Sequence, residues 1–597
     1  MLRRKIDRLL SEGEGRQLAW LAALVVTLFA VFCLVGSIWA LKWTDILNLY
    51  LDPGSFPLEG HNIFSIIIAF GGILLLNAIT VSAFSNVFDN ISGKYRRGEK
   101  RYRMKGHVLI FGSGRQLEDM LRQMCSEDRF KGSEIVVMST EDAEQLRSRI
   151  ETALDNKAFC RRIVWYRGDM SNADELRSAC PAQACCIYLL GEDDDPQHDA
   201  TLLRALDDLR GIVGTEGSII PCYLTLKKHS TLEVLSRLGE KESSRLCVEA
   251  VNLCDYLAEQ LLVDSDFIPI PKDGQALRLV IAGNGDIADS VGRIASQVCH
   301  FPQYATTGQR STICFVQGEG MRGKMNRFVA ENQHLFALSH YSYVGAQGRE
   351  EHLPDSEYGD FLDVEWEFVD SAFCSESFRS QLTHWAQDPA TRLAVVICSP
   401  CGDWNLETAL HLPQALLDIG VNVAVYQQTH RVMVDKAAQC ARFSSLFCFG
   451  EACEGSDALL LHRSDRGKRV NWLYDKAFNS QPAASAEQAW AGIPYAHKLS
   501  SVASGNSIPL KVRLFGRHPN EEQQEQLSEI EHRRWMSSVL LMGYRAAPAA
   551  ERTDRSRFKE LKNKEFIHLD IAPFAELAGE ADKDTVIVKG ISYILEG

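Results

Sequence analysis

The stretch that decides the fold is Gly106-His-Val-Leu-Ile-Phe-Gly-Ser-Gly114, in which an apolar segment runs directly into a Gly-x-Gly turn. The same pattern recurs as Leu279-Val-Ile-Ala-Gly-Asn-Gly285, and an amphipathic helical pattern follows each copy. An apolar strand, a glycine turn and a helix in succession are typical of a parallel α/β unit. The internal repeat therefore predicts two Rossmann-like domains in one chain.

Further strand-like segments alternate with helical patterns after each glycine turn. Such alternation predicts a parallel sheet covered by helices. We expect the first domain to span residues 106–265 and the second to span residues 275–460. The predicted strands are Ile135–Met138, Ile163–Tyr166, Ile187–Leu190 and Ile219–Leu224 in the first domain, and Thr312–Val316, Trp366–Val369, Leu393–Cys398 and Val421–Tyr426 in the second.

The glycine turns are candidate nucleotide sites, because glycine lets the backbone approach a phosphate group at a helix N-terminus. The second copy has Ala288 at the last position of the Gly-x-Gly-x-x-Gly/Ala pattern, whereas the first has Leu117 there. Glycines that serve only tight packing are the alternative for both copies. The predicted nucleotide-binding residues, including acidic candidates for a ribose hydroxyl, are Gly112, Gly114, Glu141, Asp169, Gly283, Gly285 and Glu319.

Two long uncharged runs precede the first glycine turn. Residues 18–41 and 62–88 each exceed the roughly 20 apolar residues that an α-helix needs to cross a bilayer core. Within lipid the backbone must bond internally, so both runs predict transmembrane helices. Basic residues concentrate in the N-terminus, residues 1–17, and in the linker, residues 89–105. By the positive-inside rule, the hairpin has both termini in the cytoplasm.

The loop between the two runs contains candidate pore residues. Residues 38–56 combine an amphipathic segment with Leu51-Asp-Pro-Gly-Ser-Phe56, and this order predicts a pore helix followed by a filter-like loop. Rings of acidic side chains select cations, so Asp52 is the candidate ion contact, flanked by Gly54 and Ser55. A plain extracellular turn is the alternative, since Asp-Pro-Gly is ordinary turn chemistry.

The second run carries a pair of glycines, Gly71 and Gly72, in mid-segment. Glycine pairs permit a helix to bend, so these residues are the candidate gating hinge of an inner, pore-lining helix. Close packing of one helix against another through the same glycines is the alternative.

Composition and motif searches exclude several other classes. The net charge is −14, and the basic residues lie at the membrane flank, so no nucleic-acid partner is predicted. The 17 cysteines are scattered, which indicates reduced thiols.

Cys398-Ser-Pro-Cys401 lacks a second cysteine pair nearby, so no metal is predicted. Glu192-Asp-Asp-Asp195 is interpreted as a solvated acidic loop, with a divalent-cation site as the alternative. No catalytic motif is present, and no enzyme is predicted.

The first domain resembles an RCK domain (regulator of potassium conductance). The resemblance lies in the opening strand and glycine turn, in Tyr166-Arg-Gly-Asp-Met-Ser-Asn-Ala-Asp-Glu-Leu-Arg-Ser-Ala179 and in Ala184-Cys-Cys-Ile-Tyr-Leu-Leu190. In that family, two-helix cation channels carry RCK domains below the pore, and tandem copies form a gating ring around a tetramer. The arrangement is similar to plant nuclear-envelope cation channels and their bacterial relatives. No Thr-Val-Gly-Tyr-Gly filter is present, so potassium selectivity is not implied.

The C-terminal residues 515–597 resemble the small α-helical RyR domain, and residues 461–514 are expected to form a helical bridge to it. The resemblance lies in Leu527-Ser-Glu-Ile-Glu-His-Arg-Arg-Trp535, Gly543-Tyr544, His568-Leu-Asp-Ile-Ala-Pro-Phe574 and Lys583-Asp584. Bacterial copies are thought to sense nucleotide-derived messengers.

Four RyR residues are candidate ligand contacts: His532, Arg533, Trp535 and Tyr544. Trp535 and Tyr544 can stack a base, and arginines can pair with phosphate. A core role for Trp535 is the alternative. Arg545-Ala-Ala-Pro-Ala-Ala550 stands where the family has an aromatic-glycine pair and an acidic loop, so ligand contacts there are not carried over.

The predicted fold class is an α-helical membrane hairpin plus α/β, with two Rossmann-like (RCK) domains and a small C-terminal α-helical RyR domain. The predicted function is a homotetrameric, ligand-gated cation channel of the bacterial inner membrane. Its expected ligand is a nucleotide that is NAD-, ADP-ribose- or cyclic-nucleotide-like. The resemblance implies a role in anti-phage defence, with ion homeostasis as the alternative. One alternative is a membrane-anchored nucleotide sensor or regulatory subunit without its own pore. Another is a nucleotide-processing enzyme on a membrane anchor.

Overall fold

The computed structural model describes ten parts of the chain, and it divides the chain into two compact units. The first unit comprises residues 1–102, 141–148 and 165–168, and the second comprises residues 103–140, 149–164 and 169–597. The described residues are 26–27, 29–38, 42–51, 66, 93–114, 116–238, 244–428, 431–450, 463–577 and 582–596.

The predicted membrane and pore residues fall largely outside these ranges. Within the ranges, the structure contains no helix with the length and apolar character needed to cross a membrane. The greater part of the predicted spans 18–41 and 62–88 lies outside the described residues. The same is true of all the pore and hinge candidates: Asp52, Gly54, Ser55, Gly71 and Gly72.

In the first unit, the described part of the predicted pore helix is helical. The helix Trp43–Leu51 lies within the predicted range 38–56. In the basic linker, Arg101 donates to the carbonyl of Arg167 at 2.6 Å and its guanidinium lies 4.6 Å from the ring centre of Tyr166. These contacts fix the linker to residues 165–168 of the same unit.

The first sheet has the strand order β3-β2-β1-β4-β5-β6. β1 pairs in parallel with β2 and β4, and β5 pairs in parallel with β4 and β6. This is the Rossmann order, with the topological switch point between β1 and β4. The strands are β1 Val108–Phe111, β2 Ile135–Ser139, β3 Ile163–Arg167, β4 Cys186–Leu189, β5 Ile220–Leu226 and β6 Leu246–Asn252. The helices are Gln116–Ser126, Ala143–Leu154, Lys157–Cys160, Ala173–Ser178, His198–Val213, His229–Leu238 and Leu253–Glu259.

The second sheet has the order β10-β9-β11-β8-β7-β12-β13-β14, with its switch point between β7 and β12. β9 and β10 form an antiparallel hairpin, and the other pairs are parallel. The strands are β7 Ala276–Ala282, β8 Ser311–Gln317, β9 Tyr341–Gly345, β10 Gly348–His352, β11 Val364–Asp370, β12 Thr391–Ile397, β13 Asn422–Tyr426 and β14 Leu446–Phe449. The helices are Asp286–Val298, Gln303–Thr307, Met321–Glu331, Gln333–Phe336, Glu376–Gln387, Gly402–Leu410, Gln414–Ile419 and Arg431–Ala438.

The prediction of two Rossmann-like α/β sheets is therefore confirmed, and each strand predicted after the two glycine turns is present. Strands β1, β2 and β4 of the first sheet are buried throughout, as expected of a sheet covered on both faces. The predicted domain boundaries remain predictions, because the second compact unit contains most of both sheets and the helical C-terminus.

The C-terminal part is helical and includes a two-stranded parallel sheet, β15 Arg545–Ala546 with β16 Ile567–His568. Asn520 and Gln523 form a capping box that starts its longest helix. A Cβ on Gly505 would lie 2.8 Å from the backbone nitrogen of Gly467, so two bridging helices cross closely at these glycines. The helices are Asp465–Phe478, Ala486–Ala491, Tyr495–Asn506, Ile508–Phe515, Glu521–Leu541, Phe558–Glu560, Asp582–Lys589 and Ile591–Leu595.

Candidate ligand-binding site

The first glycine turn is occupied by a carboxylate of the protein itself. The backbone N–H of Ser113 donates to Glu192 at 2.9 Å, and the Ser113 hydroxyl donates to the same carboxylate at 2.6 Å. The Ser139 hydroxyl donates to the other oxygen of Glu192 at 2.8 Å, and the N–H of Thr140 donates at 3.2 Å. Glu192 thus joins the turn after β1 to the end of β2, where a dinucleotide would place its phosphates and ribose.

The glycines of this turn serve close packing. Gly112 has φ +102°, and a Cβ there would lie 2.1 Å from the carbonyl oxygen of Gly191. A Cβ on Gly114 would lie 3.3 Å from the same oxygen. Asp169 accepts the N–H of Ser171 at 2.8 Å, which is a local turn contact. Gly112 thus packs closely against the Gly191 backbone, and its role in nucleotide binding stays a prediction.

The structure also places Glu141, a predicted ribose contact, and the acidic loop Glu192-Asp-Asp-Asp195. Glu141 comes shortly after the end of β2 and belongs to the first compact unit. Within the acidic loop, Asp193 and Asp194 are exposed, but Glu192 is half-buried and hydrogen-bonded rather than solvated.

The second glycine turn packs in the same way against the next strand across the switch point. Gly283 has φ +137°, and a Cβ there would lie 2.6 Å from the carbonyl carbon of Cys398. Gly285 begins the helix Asp286–Val298, with φ +86°. Lys324 donates to the carbonyl of Gly283 at 3.2 Å.

The charges around the second turn are paired within the protein. Lys324 lies 3.3 Å from Asp289, and Arg327 lies 2.7 Å from the other oxygen of that carboxylate. Burial lowers the pKa of Lys324, and the charge of Asp289 opposes this change. Glu319 is exposed, in the loop after β8.

The helical C-terminus encloses a cavity of about 280 Å³ that joins aromatic and charged side chains. Two of the candidate ligand residues, His532 and Trp535, line it. Trp535 is half-buried, so its ring forms part of the cavity wall and is not a fully buried core side chain. The lining residues are Asn471, Tyr474, His497, Ser500, Ser501, Ser504, His532, Arg534, Trp535, Lys562, His568, Asp570, Leu577, Lys583 and Asp584.

The aromatic side of the cavity is built on one helix and on β16. The rings of His532 and Trp535 are stacked with centres 5.6 Å apart, and His568 meets the Trp535 ring edge-on at 4.8 Å. His532 is clamped between the carbonyl of Ala572, at 2.9 Å, and Asp584, at 3.3 Å. The stacked face is therefore rigidly oriented.

The charged side of the cavity holds two lysines, Lys562 and Lys583, and two aspartates, Asp570 and Asp584, and Lys583 lies 3.9 Å from Asp570. Burial lowers the pKa of Lys562, and the nearby charge of Lys583 lowers it further. Burial also lowers the pKa of His568 well below its ordinary value, and the charges of both lysines add to the effect, so the ring is neutral at pH 7. Burial raises the pKa of Asp584, partly offset by its contact with His532.

Arg534 lines the cavity but belongs to a buried ion network. Its Nε donates to Glu531 at 3.0 Å, and Lys511 lies 2.7 Å from the same carboxylate. Ser504 also donates to Glu531, at 2.7 Å. Burial alone would raise the pKa of Glu531, but the charges of Arg534 and Lys511 outweigh it and lower the pKa to about 2.

The structure places the other two candidate ligand residues away from the cavity lining. Arg533 is buried, pairs with Glu529 and lies 3.7 Å from Asp363, with its guanidinium 4.8 Å from the ring centre of Tyr304. It therefore fastens the long helix Glu521–Leu541 to the second Rossmann-like domain. Tyr544 lies behind the cavity wall, with its ring centre 6.1 Å from that of His568.

Sequence reasoning missed the cavity residues Lys562, His568, Asp570 and Lys583 as ligand candidates. The RyR-like segments of the sequence include three of these residues: His568, Asp570 and Lys583. Their position in those segments was the sequence signal that could have identified them. Lys562 has no motif around it, and only folding brings it to the cavity.

The fold and the cavity define a class of protein: two Rossmann-like domains are followed by a helical domain that contains a cavity lined by aromatic and charged side chains. No protein-family model matches the chain. It is 27% identical over 202 residues to the probable ion channel POLLUX of Arabidopsis thaliana, an alignment that covers 33% of this chain and 24% of the relative. It is 23% identical over 163 residues to the ion channel DMI1 of Medicago truncatula, covering 27% of this chain and 18% of the relative. The chain thus spans less than a quarter of the length of these plant ion channels.

The similarity of this chain to solved structures is weaker than its similarity to the plant ion channels. The GsuK channel bound to NAD has a TM-score of 0.38 and 11% identity, over 72% of this chain and 80% of that chain. The GsuK structure bound to ADP has a TM-score of 0.35 and 13% identity, over 73% of this chain and 96% of that chain. TM-scores this low do not establish a common fold, so the fold assignment rests on the strand order and the parallel pairing.

Proposed function

We propose that the chain is a cation channel of the bacterial inner membrane, gated by a nucleotide or nucleotide-derived messenger that binds in the C-terminal cavity. The observation that carries the ligand assignment is the cavity itself, of about 280 Å³, which Trp535, Lys562 and Lys583 line together. The channel assignment is supported by the similarity to plant ion channels and by the two uncharged runs that precede the first domain. We further propose a homotetramer with both termini in the cytoplasm, acting in anti-phage defence.

The cavity suits a ligand that combines a base with phosphate. An aromatic side chain binds a base by stacking, and this does not depend on the identity of the base. Lysine ammonium groups form charge-assisted hydrogen bonds with phosphate oxygens. The neutral His568 ring offers one donor or acceptor without adding charge. A dinucleotide, a cyclic nucleotide or an ADP-ribose derivative each carries both of these parts.

Ligand binding in the C-terminal cavity would be coupled to the second Rossmann-like domain through hydrogen bonds between side chains behind the cavity. Arg534 lines the cavity and donates a hydrogen bond to the Ser538 hydroxyl at 2.9 Å. Ser538 in turn donates a hydrogen bond to Gln297 at 2.9 Å. Gln297 belongs to the helix Asp286–Val298 that follows the second glycine turn. A ligand shifts gating only through its different affinities for the open and closed forms, so this chain of contacts must differ between them.

At the membrane end, we propose that Asp52 contacts the permeating ion, beside Gly54 and Ser55, and that the inner helix bends at Gly71 and Gly72. Rings of acidic side chains select cations in other channels. Asp52→Asn should change cation conductance or selectivity. Unchanged currents in a working channel would exclude Asp52 from the filter.

Ion flux from liposomes that contain the purified full chain tests the function directly. NAD, cyclic dinucleotides and ADP-ribose are added in separate samples, and at least one is expected to start cation flux. Lys562→Met should abolish the response to that ligand, whereas Lys564→Met should not. Lys564 is a matched control because it lies two residues away with an exposed side chain outside the lining.

The same experiment separates the channel from its alternative. A chain that binds one of these nucleotides without any flux, in every sample, would be a membrane-anchored sensor rather than a channel. Consumption of the bound nucleotide would instead point to an enzyme.

A further inference from the structure

A second cavity, of about 410 Å³, lies at the edge of the first sheet. It is found where β5 and β6 begin, and the bridging segment Ala491–Lys498 covers it. Rossmann folds bind nucleotides at the carboxyl ends of their strands, so this cavity is at the opposite edge of the sheet from the first glycine turn. It is also separate from the C-terminal cavity described above, with which it shares no lining residue.

Three cationic side chains line this second cavity: Arg210, Arg245 and Lys498. None of the described residues in its lining carries a carboxylate. The remaining walls are mainly apolar or backbone, contributed by Ile219, Leu235, Ser244, Leu246, Cys247, Val248, Ala491, Gly492, Ile493, Pro494 and Tyr495.

Lys498 is the most informative of the three cations, because it is only 7% exposed. Its ammonium donates to the Sγ atom of Cys247 at 3.3 Å and lies 5.6 Å from the ring centre of Trp490. Among the described residues, no carboxylate lies within ion-pair distance of it; Glu249, nearby on β6, accepts from the indole of Trp490 at 3.1 Å. A buried lysine without an acidic partner is costly unless a ligand neutralises it.

The two arginines have positions that suit the same ligand. Arg245 donates to the carbonyls of Val213, at 3.3 Å, and Ala182, at 2.8 Å, which orients its guanidinium; within the part of the chain that the structure describes, no carboxylate pairs with it. Arg210 is half-buried on the helix His198–Val213. Three positive charges around one space, with no acid among the described lining residues, favour a doubly or multiply charged anion.

We propose that this cavity binds a small phosphorylated molecule, with its phosphate at Lys498, Arg210 and Arg245 and an apolar or ring portion against Ile219, Leu235 and Ile493. The volume lies within the range of roughly 300–1,000 Å³ that is usual for small-molecule sites, and it exceeds what inorganic phosphate needs. The proposal does not depend on the channel function or on the C-terminal cavity.

The bridging segment would respond to occupancy of this site. Tyr495 is hydrogen-bonded in both directions to Ala250 of β6, at 2.9 and 3.0 Å, and the segment continues directly into the helix that carries Ser500, Ser501 and Ser504 of the C-terminal cavity. A ligand at Lys498 would therefore strengthen the attachment of this helix to the first sheet.

Calorimetric titration of the full chain with pyrophosphate and with ribose 5-phosphate tests the site. All titrations use the Lys562→Met background, which weakens anion binding in the C-terminal cavity. We expect one binding event per chain. Lys498→Met should weaken it about tenfold, as expected for the loss of a charge-assisted hydrogen bond. Arg210→Gln should weaken it in the same direction, and because Arg210 is half-exposed this variant is expected to fold.

Arg204→Gln is the matched control, since Arg204 is exposed on the same helix as Arg210 and does not line the cavity. Its affinity for both probes should equal that of the unsubstituted background. The proposal is overturned if neither probe binds, or if Arg210→Gln and Arg204→Gln bind equally well. Ion flux plays no part in this readout, so its failure and that of the channel function are separate results.

Discussion

Ser538 of the long C-terminal helix donates a hydrogen bond of 2.9 Å to the side-chain oxygen of Gln297, in the helix that follows the second glycine turn. Ser538 is 1% exposed, and its hydroxyl also accepts from Arg534. The contact therefore joins the wall of the C-terminal cavity to the second Rossmann-like domain through one buried hydroxyl.

Ser538→Ala should weaken this junction. The substitution leaves the Gln297 oxygen and an Arg534 donor without their buried partner, which should lower the free energy of unfolding by about 2 kcal/mol. Hydrogen exchange should become faster in the helices Glu521–Leu541 and Asp286–Val298. Ser537→Ala is the control, because Ser537 is equally buried on the same helix but is not part of this link. Equal exchange rates in both variants would remove Ser538 from the junction.

Glu192→Ala should open the first glycine turn to a nucleotide. The substitution frees the N–H groups of Ser113 and Thr140, which then face the space where a phosphate and a ribose would lie. We expect NAD to protect residues 108–126 from hydrogen exchange in Glu192→Ala, and not in the unsubstituted chain. Asp194→Ala removes an exposed carboxylate from the same loop and should behave as the unsubstituted chain does. NAD protection of the turn while Glu192 is intact would contradict this interpretation.

Gly112→Ala and Gly114→Ala should differ sharply in stability. At Gly112 a Cβ would overlap the Gly191 carbonyl at 2.1 Å, in a left-handed backbone conformation with φ +102°. At Gly114 the closest atom would lie at 3.3 Å, which a small shift relieves. Gly112→Ala should therefore reduce soluble expression and lower the Tm strongly, and Gly114→Ala should change the Tm by a few degrees at most. Similar losses in both variants would mean that packing against Gly191 is not the reason for the first glycine.

The sequence was sufficient for the two α/β sheets because a buried parallel strand is a continuous apolar run ended by glycine or polar residues. Two of the strands that were not predicted, β6 and β10, lack this signal, whereas β14, Leu446-Phe-Cys-Phe449, carries it and was missed. β10 has the sequence Gly-Arg-Glu-Glu-His and is a strand because it pairs with β9. β6 includes Glu249 and Asn252, and three of its residues are only partly buried, so it shows neither a continuous run nor strict alternation.

The candidate site was predictable only where its residues share one helix. His532 and Trp535 are three residues apart and face the same cavity, as helical spacing requires. Arg533 follows His532 directly, and successive helical residues point about 100° apart, so it faces the second Rossmann-like domain instead. Lys562 and Lys583 come from distant segments. Their approach is set by tertiary packing, which local patterns do not encode.

The Glu531 carboxylate should make the C-terminal domain sensitive to acid. Its pKa is about 2 in the folded chain and 4.5 as the ordinary value, because Arg534 and Lys511 outweigh the effect of burial. Between these values the unfolded state binds more protons, so stability is fully present above about pH 5 and is lost as the pH falls toward 2. At about 1.4 kcal/mol per pKa unit, this shift corresponds to roughly 3 kcal/mol.

Glu531→Gln tests this assignment, because it removes the titrating group and leaves Lys511 and Arg534 buried without their counter-charge. Breaking a buried ion network in this way should lower the free energy of unfolding by about 3–5 kcal/mol at neutral pH. The acid-dependent loss below about pH 5 should become shallower, because the carboxyl group no longer takes up a proton. Hydrogen exchange of the helix Glu521–Leu541, corrected for the intrinsic effect of pH, measures both effects. Glu525→Gln, an exposed carboxylate on the same helix, should retain the original profile. If Glu531→Gln and the unsubstituted chain lost stability in parallel between about pH 5 and pH 3, the acid response would belong to another group.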